Sequence, residues 1–277
     1  MEQKNKVWFI TGASKGFGLA FIKSLLASGY QVAATSRNAQ DIRKHFDIEH
    51  DNLLALTVDL TNEDSVKDAI QKAVARFGRL DVVVNNAGYA ILGAVEMLSD
   101  KEFRQTIDVN LFGTVNVIRT VMPHLRKQQS GHIINFSSVA GYRGFGNAAS
   151  YHAAKFAVVG LSEALAEEVK PFGIKVTVVA PGYFRTNFLA EGSSMVAKNR
   201  ISAYNMEAME AAMREMNGKQ PGDPYKLVSA ILKIVEEPNP PVHLLMGPDA
   251  YMVVTEKRKM VDQEFERWKA VTMSTNF

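Results

Sequence analysis

The sequence predicts an α/β fold: a doubly wound parallel sheet of seven strands with helices on both faces. Seven short apolar runs alternate along the 277 residues with longer segments that have a helical spacing of apolar residues. The runs are nearly continuous in apolar residues, as in strands that are covered on both faces. No linker, low-complexity segment or internal repeat divides the chain, so we expect a single domain over residues 1–277.

The predicted elements alternate from the N-terminus. Strands are expected at residues 7–10, 31–35, 53–58, 81–84, 132–136, 174–179 and 242–246. Helices are expected at 19–28, from 61 to about 77, from 99 to about 129, through 151 to about 170, at 223–235 and at 250–268. Three of them have N-terminal capping signals, which are Thr61 with Asp64, Ser99 with Glu102, and Asp223 before Pro224. In such sheets ligands bind beyond the carboxyl ends of the strands, so the residues that follow each strand are candidates for a site.

Composition and charge exclude several classes of function. The 32 basic and 29 acidic residues give a net charge of +3, too small for a dedicated nucleic-acid surface. The chain has no cysteine, which excludes disulfides and thiolate chemistry, and the spacing of its histidines indicates no metal site. The apolar run near the N-terminus is too short for a signal peptide or a membrane span, so we expect a cytoplasmic protein.

A glycine-rich turn lies between the first strand and the first helix. Gly12, Gly16 and Gly18 have the spacing Gly-x-x-x-Gly-x-Gly. Glycines let a backbone approach a pyrophosphate closely, and the N-terminus of the following helix favours its negative charge. The turn therefore predicts a dinucleotide cofactor.

The end of the second strand indicates which cofactor this would be. Folds that bind NAD place an acidic residue there to hold the ribose 2′-hydroxyl. This sequence has Ser36 and Arg37 instead, and Lys15 lies in the glycine-rich turn. Because cations suit a 2′-phosphate, we expect NADP(H) to be preferred, with NAD(H) possible.

Tyr151 and Lys155 are the candidate catalytic pair. They are four residues apart on a predicted helix, so their side chains share one face. An ammonium beside a phenol favours the phenolate, and we expect Lys155 to lower the pKa of Tyr151 from its usual value of about 10. Such a tyrosine can pass a proton to or from an alcohol or carbonyl oxygen. His152 points about 100° away round the helix, and we expect it to be a packing or surface residue.

Five motifs occur in a fixed order around these candidates. They are Thr-Gly-x-x-x-Gly-x-Gly at 11–18, Asn-Asn-Ala-Gly at 85–88, Asn110, the set of Ser138, Tyr151 and Lys155, and Pro181-Gly182 leading to Thr186. In order and spacing they resemble the short-chain dehydrogenase/reductase family, in its common single-domain subclass. The resemblance covers roughly residues 6–188. It implies a Rossmann-type fold and an NAD(P)-dependent oxidoreductase that acts on CH–OH or C=O groups.

The resemblance implies a role for each matched residue. Tyr151 would be the general acid in reduction and the base in oxidation, and Ser138 would hydrogen-bond the substrate oxygen. Lys155 would bind the nicotinamide ribose, and Asn110 would hold a water that connects Lys155 to solvent. The cofactor contacts would be Gly12, Ser14, Lys15, Gly16, Phe17 and Gly18 at the pyrophosphate, Asp59 and Leu60 beside the adenine, Asn86, Ala87 and Gly88 on the adenosine side, and Pro181, Gly182, Phe184 and Thr186 at the nicotinamide.

Residues 187–221 are expected to form a lid over the nicotinamide end, because connections of this length are usually functional. The segment has five of the twelve methionines, and four of these, Met206, Met209, Met213 and Met216, have helical spacing. Methionine suits surfaces that fit variable apolar ligands, although the same stripe could pack on the sheet as ordinary core. The neighbouring apolar residues are Phe184, Phe188, Leu189 and Tyr204. We expect a small hydrophobic alcohol or carbonyl substrate, steroid-, retinoid- or long-aldehyde-like, and a lid that is mobile without ligand.

The C-terminal end departs from the family pattern. Members ordinarily end soon after the seventh strand, whereas residues 248–277 form an extension here. It resembles the branch of 17β-hydroxysteroid and retinol dehydrogenase-like enzymes. We expect its charge run at 256–259 to be a solvated helix face. Family members often form tetramers through the helices that contain Asn110 and Tyr151, and the extension could block or replace another contact, so both a homodimer and a homotetramer remain open.

Two other functions share most of these features. A 3-oxoacyl-acyl-carrier-protein-type reductase would use the same chemistry on another substrate, but the long lid and the extension disfavour it. A non-catalytic NADP(H)-binding sensor would keep the fold. Sensors of that kind typically lose the tyrosine or the lysine, and this chain has both Tyr151 and Lys155.

Overall fold

The structure, a computed structural model, describes residues 6–46, 50–190 and 192–277. The strands are β1 (Val7–Ile10), β2 (Gln31–Ser36), β3 (Leu53–Thr57), β4 (Val82–Asn85), β5 (Ala90–Leu92), β6 (Gly131–Phe136), β7 (Ile174–Pro181), β8 (Ser194–Val196) and β9 (His243–Met246). The α-helices are α1 (Gly16–Ala27), α2 (Gln40–Arg43), α3 (Glu63–Phe77), α4 (Asp100–Ile107), α5 (Gly113–Gln128), α6 (Ala149–Val169), α7 (Met206–Met216), α8 (Pro224–Glu236) and α9 (Pro248–Met273).

Seven strands form one parallel sheet in the order β3-β2-β1-β4-β6-β7-β9, which confirms the predicted fold class. Alternate residues of β1 enter two different cores, because side chains of a strand point to opposite faces. Trp8 packs with α1 and α8 on one face, and Phe9 packs with α3 and α5 on the other. The chain order reverses between β1 and β4, and in doubly wound sheets this is the place where ligands bind.

The start of α3 differs from the predicted capping pattern. The side chain of Asn62, not Thr61, caps the helix by accepting a hydrogen bond from the N–H of Ser65 at 3.0 Å. Thr61 is instead bound by the Asp59 carboxylate, which accepts hydrogen bonds from the Thr61 N–H at 2.9 Å and from the Thr61 hydroxyl at 2.7 Å. This local turn leaves Asn62 as the residue at the helix start. The caps at Ser99 and Asp223 are as predicted.

The long helix predicted over 99–129 is two helices joined by a π-helical segment, Asp108–Phe112. Asn110 lies in this segment. Its side-chain amide donates to the carbonyl oxygens of Thr106 at 2.8 Å and of Tyr89 at 3.0 Å. A side chain that bonds both its own helix and the chain after β4 accounts for the widened turn, a feature often found at functional sites.

A separate two-stranded parallel sheet of β5 and β8 was not predicted from the sequence. Each strand has three residues, too few for a recognisable alternation of apolar and polar side chains. The sheet joins the expected lid, which contains β8 and α7, to the chain after β4. At the C-terminus, α9 continues past the predicted end at residue 268. Within the described residues, no helix has the length and apolar character that a membrane crossing requires.

Candidate active site

Ser138, Tyr151 and Lys155 lie together at the carboxyl end of β6. The Ser138 hydroxyl hydrogen-bonds the Tyr151 phenol and also accepts from the N–H of Ala140 at 3.2 Å. The Nζ of Lys155 donates to the carbonyl oxygen of Phe136 at 2.8 Å and lies 5.6 Å from the centre of the Tyr151 ring. The structure therefore brings the three expected catalytic side chains into one cluster.

Burial controls the charge states of this cluster. It raises the pKa of Tyr151 to about 12, although the hydrogen bond with Ser138 lowers it. It also lowers the pKa of Lys155 to about 8. The expectation that Lys155 brings the pKa of Tyr151 below its usual value is wrong for this structure, because desolvation of the phenolate raises the pKa and the opposing cause is the hydrogen bond with Ser138. At neutral pH the phenol keeps its proton and Lys155 is mostly charged.

Asn110 is buried beside Lys155. Its side-chain oxygen accepts from the N–H of Tyr89 at 3.2 Å, and both hydrogens of its amide are used by backbone carbonyls. Gly88 packs against both residues, since a Cβ there would lie 2.5 Å from Oδ1 of Asn110 and 3.4 Å from Nζ of Lys155. The backbone carbonyl of Asn110 accepts a hydrogen bond from the Thr114 hydroxyl at 3.2 Å. That Asn110 holds a water remains a prediction.

His152 is more than the packing or surface residue expected from the sequence. It is buried, with 8% of its surface exposed. Its Nδ1 lies 2.8 Å from the carbonyl oxygen of Ala140, and its Nε2 accepts from the N–H of Phe145 at 3.1 Å. These two partners require the neutral ring with its proton on Nδ1. The ring therefore fixes the segment that follows Ser138.

The glycine-rich turn is attached to the chain after β4. Gly12 has a φ of 65° and Gly16 a φ of 57°, conformations that favour glycine. A Cβ on Gly12 would lie 2.7 Å from the Cα of Ala87, and the Asn86 side chain donates to the Gly12 carbonyl oxygen at 3.1 Å. The Thr11 hydroxyl accepts from the N–H groups of Asn86 and Ala87, both at 3.1 Å. The segment at 86–88 thus acts as a support for the turn.

The N-terminus of α1 is open to an anion. Lys15 precedes the helix without capping it, and the first turn has no acidic residue. A Cβ on Gly16 would lie 3.5 Å from the Cβ of Thr186, so the chain after β7 approaches this end. Phe17 packs between Phe136 and Phe184, with ring centres 5.5 and 5.4 Å apart. An uncapped helix end with free N–H groups and tight glycines fits a pyrophosphate.

The chain after β7 is held by a residue that the sequence analysis missed. The carboxylate of Asp249, in the first turn of α9, accepts from the N–H of Tyr183 at 2.6 Å. A Cβ on Gly182 would lie 2.1 Å from the same carboxylate, so glycine is needed there. The N–H of Thr186 donates to the carbonyl oxygen of Phe184 at 2.8 Å. Pro181 ends β7, and together these contacts shape the expected nicotinamide segment.

Lys15 and Arg37 lie near each other at the end of β2, both exposed. Burial and, after it, the Arg37 guanidinium lower the pKa of Lys15. Neither cation forms an ion pair within the described part of the chain. Ser36 differs from expectation, because its hydroxyl donates to the carbonyl oxygen of Asn38 and accepts from the N–H of the same residue. Two cations without an acidic partner fit a bound phosphate, whereas Ser36 is engaged locally.

Asp59 and Leu60, the predicted adenine contacts, are both hydrogen-bonded within the chain. The carbonyl oxygen of Leu60 accepts from the side-chain amide of Asn116, on α5, at 2.9 Å. The Asp59 carboxylate accepts from the neighbouring Thr61. At the predicted pyrophosphate contact, Nε2 of His45 lies 3.2 Å from the carbonyl oxygen of Ser14.

Apolar residues of the lid lie over the Tyr151 ring. The Phe188 ring centre is 5.6 Å from that of Tyr151. Met206 is buried, and Met209 and Met213 are partly buried, in a cluster that includes both rings. The expected stripe is only partly inward, because Met216 is 37% exposed.

Tyr204 was expected to add apolar area beside the stripe, but it is 37% exposed, and its hydroxyl donates to the Glu96 carboxylate at 2.7 Å. Met195, the fifth methionine of the lid, is 39% exposed.

Comparison with protein families agrees with this geometry. The family model described as short chain dehydrogenase matches residues 6–197. The chain belongs to the short-chain dehydrogenase family. It is an NAD(P)-dependent short-chain dehydrogenase/reductase, an oxidoreductase, with the glycine-rich turn and the cluster around Tyr151 inside the matched range.

Two curated relatives of this short-chain dehydrogenase align over most of their length. Oxidoreductase BOA17 of Botryotinia fuckeliana is 36% identical over 273 residues, which are 98% of this chain and 99% of the relative. The 3-ketodihydrosphingosine reductase of Bacteroides thetaiotaomicron is 38% identical over 249 residues, 88% of each chain.

Solved structures of other short-chain dehydrogenases have the same fold. A short-chain dehydrogenase from Streptomyces avermitilis superposes with a TM-score of 0.90 at 35% identity, covering 99% of this chain and 100% of the other. ElxO with NADP bound superposes with a TM-score of 0.73 at 30% identity, covering 87% and 96%.

Proposed function

We propose that this dehydrogenase is an NADP(H)-dependent enzyme that interconverts a primary or secondary alcohol and the corresponding carbonyl of an apolar substrate. Tyr151 is its general acid and base. The observation that carries the proposal is the half-buried phenol of Tyr151, bonded to Ser138, beside the Lys155 ammonium and under the Phe188 ring. A proton donor, a second hydrogen-bond donor and an apolar wall thus converge on one point.

The charge states favour reduction of a carbonyl. With a pKa of about 12, Tyr151 holds its proton at neutral pH and is ready to donate it. Acting as a base would first require the phenolate, which the raised pKa disfavours at pH 7. Ser138 would hydrogen-bond the same substrate oxygen, and the Lys155 ammonium would stabilise the phenolate as it forms. The bound cofactor supplies the hydride.

Preference for NADP(H) rests on Lys15 and Arg37. Both lie at the end of β2 where a 2′-phosphate would be recognised, and neither has an acidic partner among the residues that the structure describes. ElxO, which shares the fold at 30% identity, has a structure with NADP bound, and this supports the same choice.

An apolar substrate is favoured by the lid. Phe188 lies beside the Tyr151 ring, and Met206, Met209 and Met213 pack in the same apolar cluster. The Bacteroides thetaiotaomicron relative is named as a reductase of a keto compound, which supports carbonyl reduction as the direction of the reaction. The resemblance to the 17β-hydroxysteroid and retinol dehydrogenase-like branch, and the cytoplasmic location, remain part of this proposal.

Steady-state assays with NADPH test the proposal. The panel should contain steroid ketones, retinaldehyde, long aliphatic aldehydes, a 3-oxoacyl thioester and a small charged keto acid. We expect the apolar carbonyls to give the highest kcat/KM. A best substrate that is small and charged would contradict the apolar assignment, and a preferred 3-oxoacyl thioester would support the alternative reductase. Binding of NADPH without turnover of any compound would support a sensor.

A further inference from the structure

His152 joins two parts of the segment between Ser138 and Tyr151. Its Nε2 accepts from the N–H of Phe145 at 3.1 Å, so Nδ1 has the ring proton and donates it to the carbonyl oxygen of Ala140 at 2.8 Å. The ring also packs on the Phe145 ring, with centres 5.7 Å apart. Both ring nitrogens are therefore occupied, and the ring has no free nitrogen for proton transfer.

Ala140 connects this histidine to Ser138. Its carbonyl oxygen is bound by His152, and its N–H donates to Oγ of Ser138 at 3.2 Å. Ser138 is thereby the N-cap of a short 3₁₀ turn, Val139–Gly141. A serine hydroxyl has two lone pairs and one hydrogen. With Ala140 donating to one lone pair, the hydrogen is left for another acceptor, which beside Tyr151 would be the substrate oxygen.

The segment beyond the turn lies at the surface. Phe145 is 47% exposed, and a Cβ on either neighbouring glycine, Gly144 or Gly146, would meet nothing within 4 Å. The Arg143 guanidinium lies over the Phe145 ring, 5.6 Å from its centre. A surface segment of this kind opens easily unless a buried group holds it. His152, which is 8% exposed and belongs to α6, is such a group.

We propose that His152 is a positioning residue for carbonyl reduction. It holds Ala140 in place, so that the Ala140 N–H keeps the Ser138 hydroxyl directed at the substrate oxygen. Its action goes through Ser138 and not through Tyr151, because its two ring nitrogens bond the backbone of Ala140 and Phe145 and not the phenol. The inference rests on the proposed function, since the direction of the hydroxyl matters only when a substrate oxygen binds beside Tyr151.

Two substitutions separate the two bonds of the ring. In His152→Asn the side-chain amide can take the place of Nδ1 and donate to Ala140, but it is too short to reach Phe145. In His152→Gln the amide oxygen can take the place of Nε2 and accept from Phe145, and Ala140 loses its donor. We expect kcat with NADPH to fall about 3- to 10-fold in His152→Gln, the value of one hydrogen bond, and less than about twofold in His152→Asn. The reverse order, or equal losses, would contradict action through Ala140.

A double-mutant cycle with Ser138→Ala distinguishes positioning from a general structural role. We expect Ser138→Ala to be slow, so its rate is measured in single turnovers with excess enzyme. In this background His152→Gln should change the rate by less than about twofold, because its route to the substrate no longer exists. The control His124→Gln, on α5, should change the rate in neither background. An equal loss from His152→Gln with and without the Ser138 hydroxyl would show a merely structural role and overturn the proposal.

A structural measurement completes the test and does not depend on turnover. Heteronuclear NMR of the ring nitrogens of His152, assigned by their absence in His152→Gln, should show a proton on Nδ1 and none on Nε2 near neutral pH. A proton on Nε2 would overturn the proposal. If the wild type reduces no carbonyl compound, the proposed function and this inference both fail. Turnover with independent losses at His152 and Ser138 would contradict this inference alone.

Discussion

The Lys155 ammonium donates a hydrogen bond to the carbonyl oxygen of Phe136, the last residue of β6, at 2.8 Å. This bond ties the first turns of α6 to the end of the central sheet. Lys155 lies beside the Tyr151 ring for this reason, and its position does not depend on a carboxylate partner. The burial of the Lys155 side chain also lowers its pKa.

Replacing Tyr151 should remove turnover and preserve binding. In Tyr151→Phe only the hydroxyl is lost, and the ring still packs against Phe188. We expect kcat/KM to fall by at least about 10²-fold, with the NADPH dissociation constant unchanged, as measured by fluorescence titration. Tyr142→Phe is the matched control, since the Tyr142 hydroxyl bonds His243, and it should keep its activity. Near-native activity of Tyr151→Phe would refute the mechanism.

Arg37 should determine the choice of cofactor. A charge-assisted hydrogen bond contributes about 1.5–3 kcal/mol, so Arg37→Asp should lower the preference for NADPH over NADH by about 10- to 150-fold. The ratio of kcat/KM values with the two cofactors measures it. Arg126→Asp, at the exposed end of α5, is the control and should not change the ratio. An unchanged ratio in Arg37→Asp would place cofactor recognition elsewhere.

The burial of Lys155 should make stability depend on pH. Its pKa is about 8 in the folded chain and about 10.4 when unfolded. Between these values the unfolded chain binds more protons, so this group makes stability rise with pH. Relative to Lys155→Met, the wild-type free energy of unfolding should increase by up to about 3 kcal/mol from pH 7 to 10. Urea unfolding at several pH values measures the difference, and a constant difference would contradict the burial effect.

Alanine substitutions at Gly88 and at Gly160 should change the stability of the protein in opposite directions. A Cβ at Gly88 would lie 2.5 Å from Oδ1 of Asn110, so Gly88→Ala should lower stability by about 1–3 kcal/mol and reduce kcat. Gly160, inside α6, has nothing within 4 Å, so Gly160→Ala should raise stability by about 0.5–1 kcal/mol. Thermal unfolding and assays of both variants check this. Full activity of Gly88→Ala would show that Asn110 does not need its present position.

The lid should become protected when ligands bind. It is joined to the rest of the chain by the short β5–β8 sheet and by isolated bonds, such as those from Tyr204 to Glu96 and from the Lys198 N–H to Glu102. Amide hydrogen exchange over residues 187–221 should be fast in the free protein and slower with NADPH and substrate. Peptides from β4 serve as the unchanged reference. Slow exchange of the lid in the free protein would show that it is already rigid.

Elements with strong local signals could be predicted from the sequence. The apolar runs gave all seven strands of the main sheet, because fully buried parallel strands have little polar character. Two of the failures, at the start of α3 and at Asn110, have a common cause in competition between neighbouring groups for hydrogen bonds. The Asp59 carboxylate accepts a hydrogen bond from the Thr61 hydroxyl, so Thr61 does not cap α3. The Asn110 side chain donates to two carbonyl oxygens and widens its helix turn. Neither competition is visible in local spacing.

In the candidate site, too, residues with a local signal could be predicted and residues that act over a long distance in the chain could not. Ser138, Tyr151 and Lys155 could be found because their spacing along the chain is fixed by one strand and one helix. Asp249 and Asn116 could not, since they lie 66 and 56 residues from the groups they hold. The raised pKa of Tyr151 was also out of reach, because the sequence shows the nearby lysine and not the depth of burial.

Asp249 has a consequence for how such chains can diverge. The extension reaches into the catalytic half of the protein through its first turn, where this carboxylate receives the Tyr183 N–H. A chain trimmed after β9, or given the tail of a relative without an acidic residue at that place, would leave this N–H without its acceptor. The tail is therefore not an interchangeable module, because recombination at Gly247 would remove the carboxylate contact that holds the chain after β7.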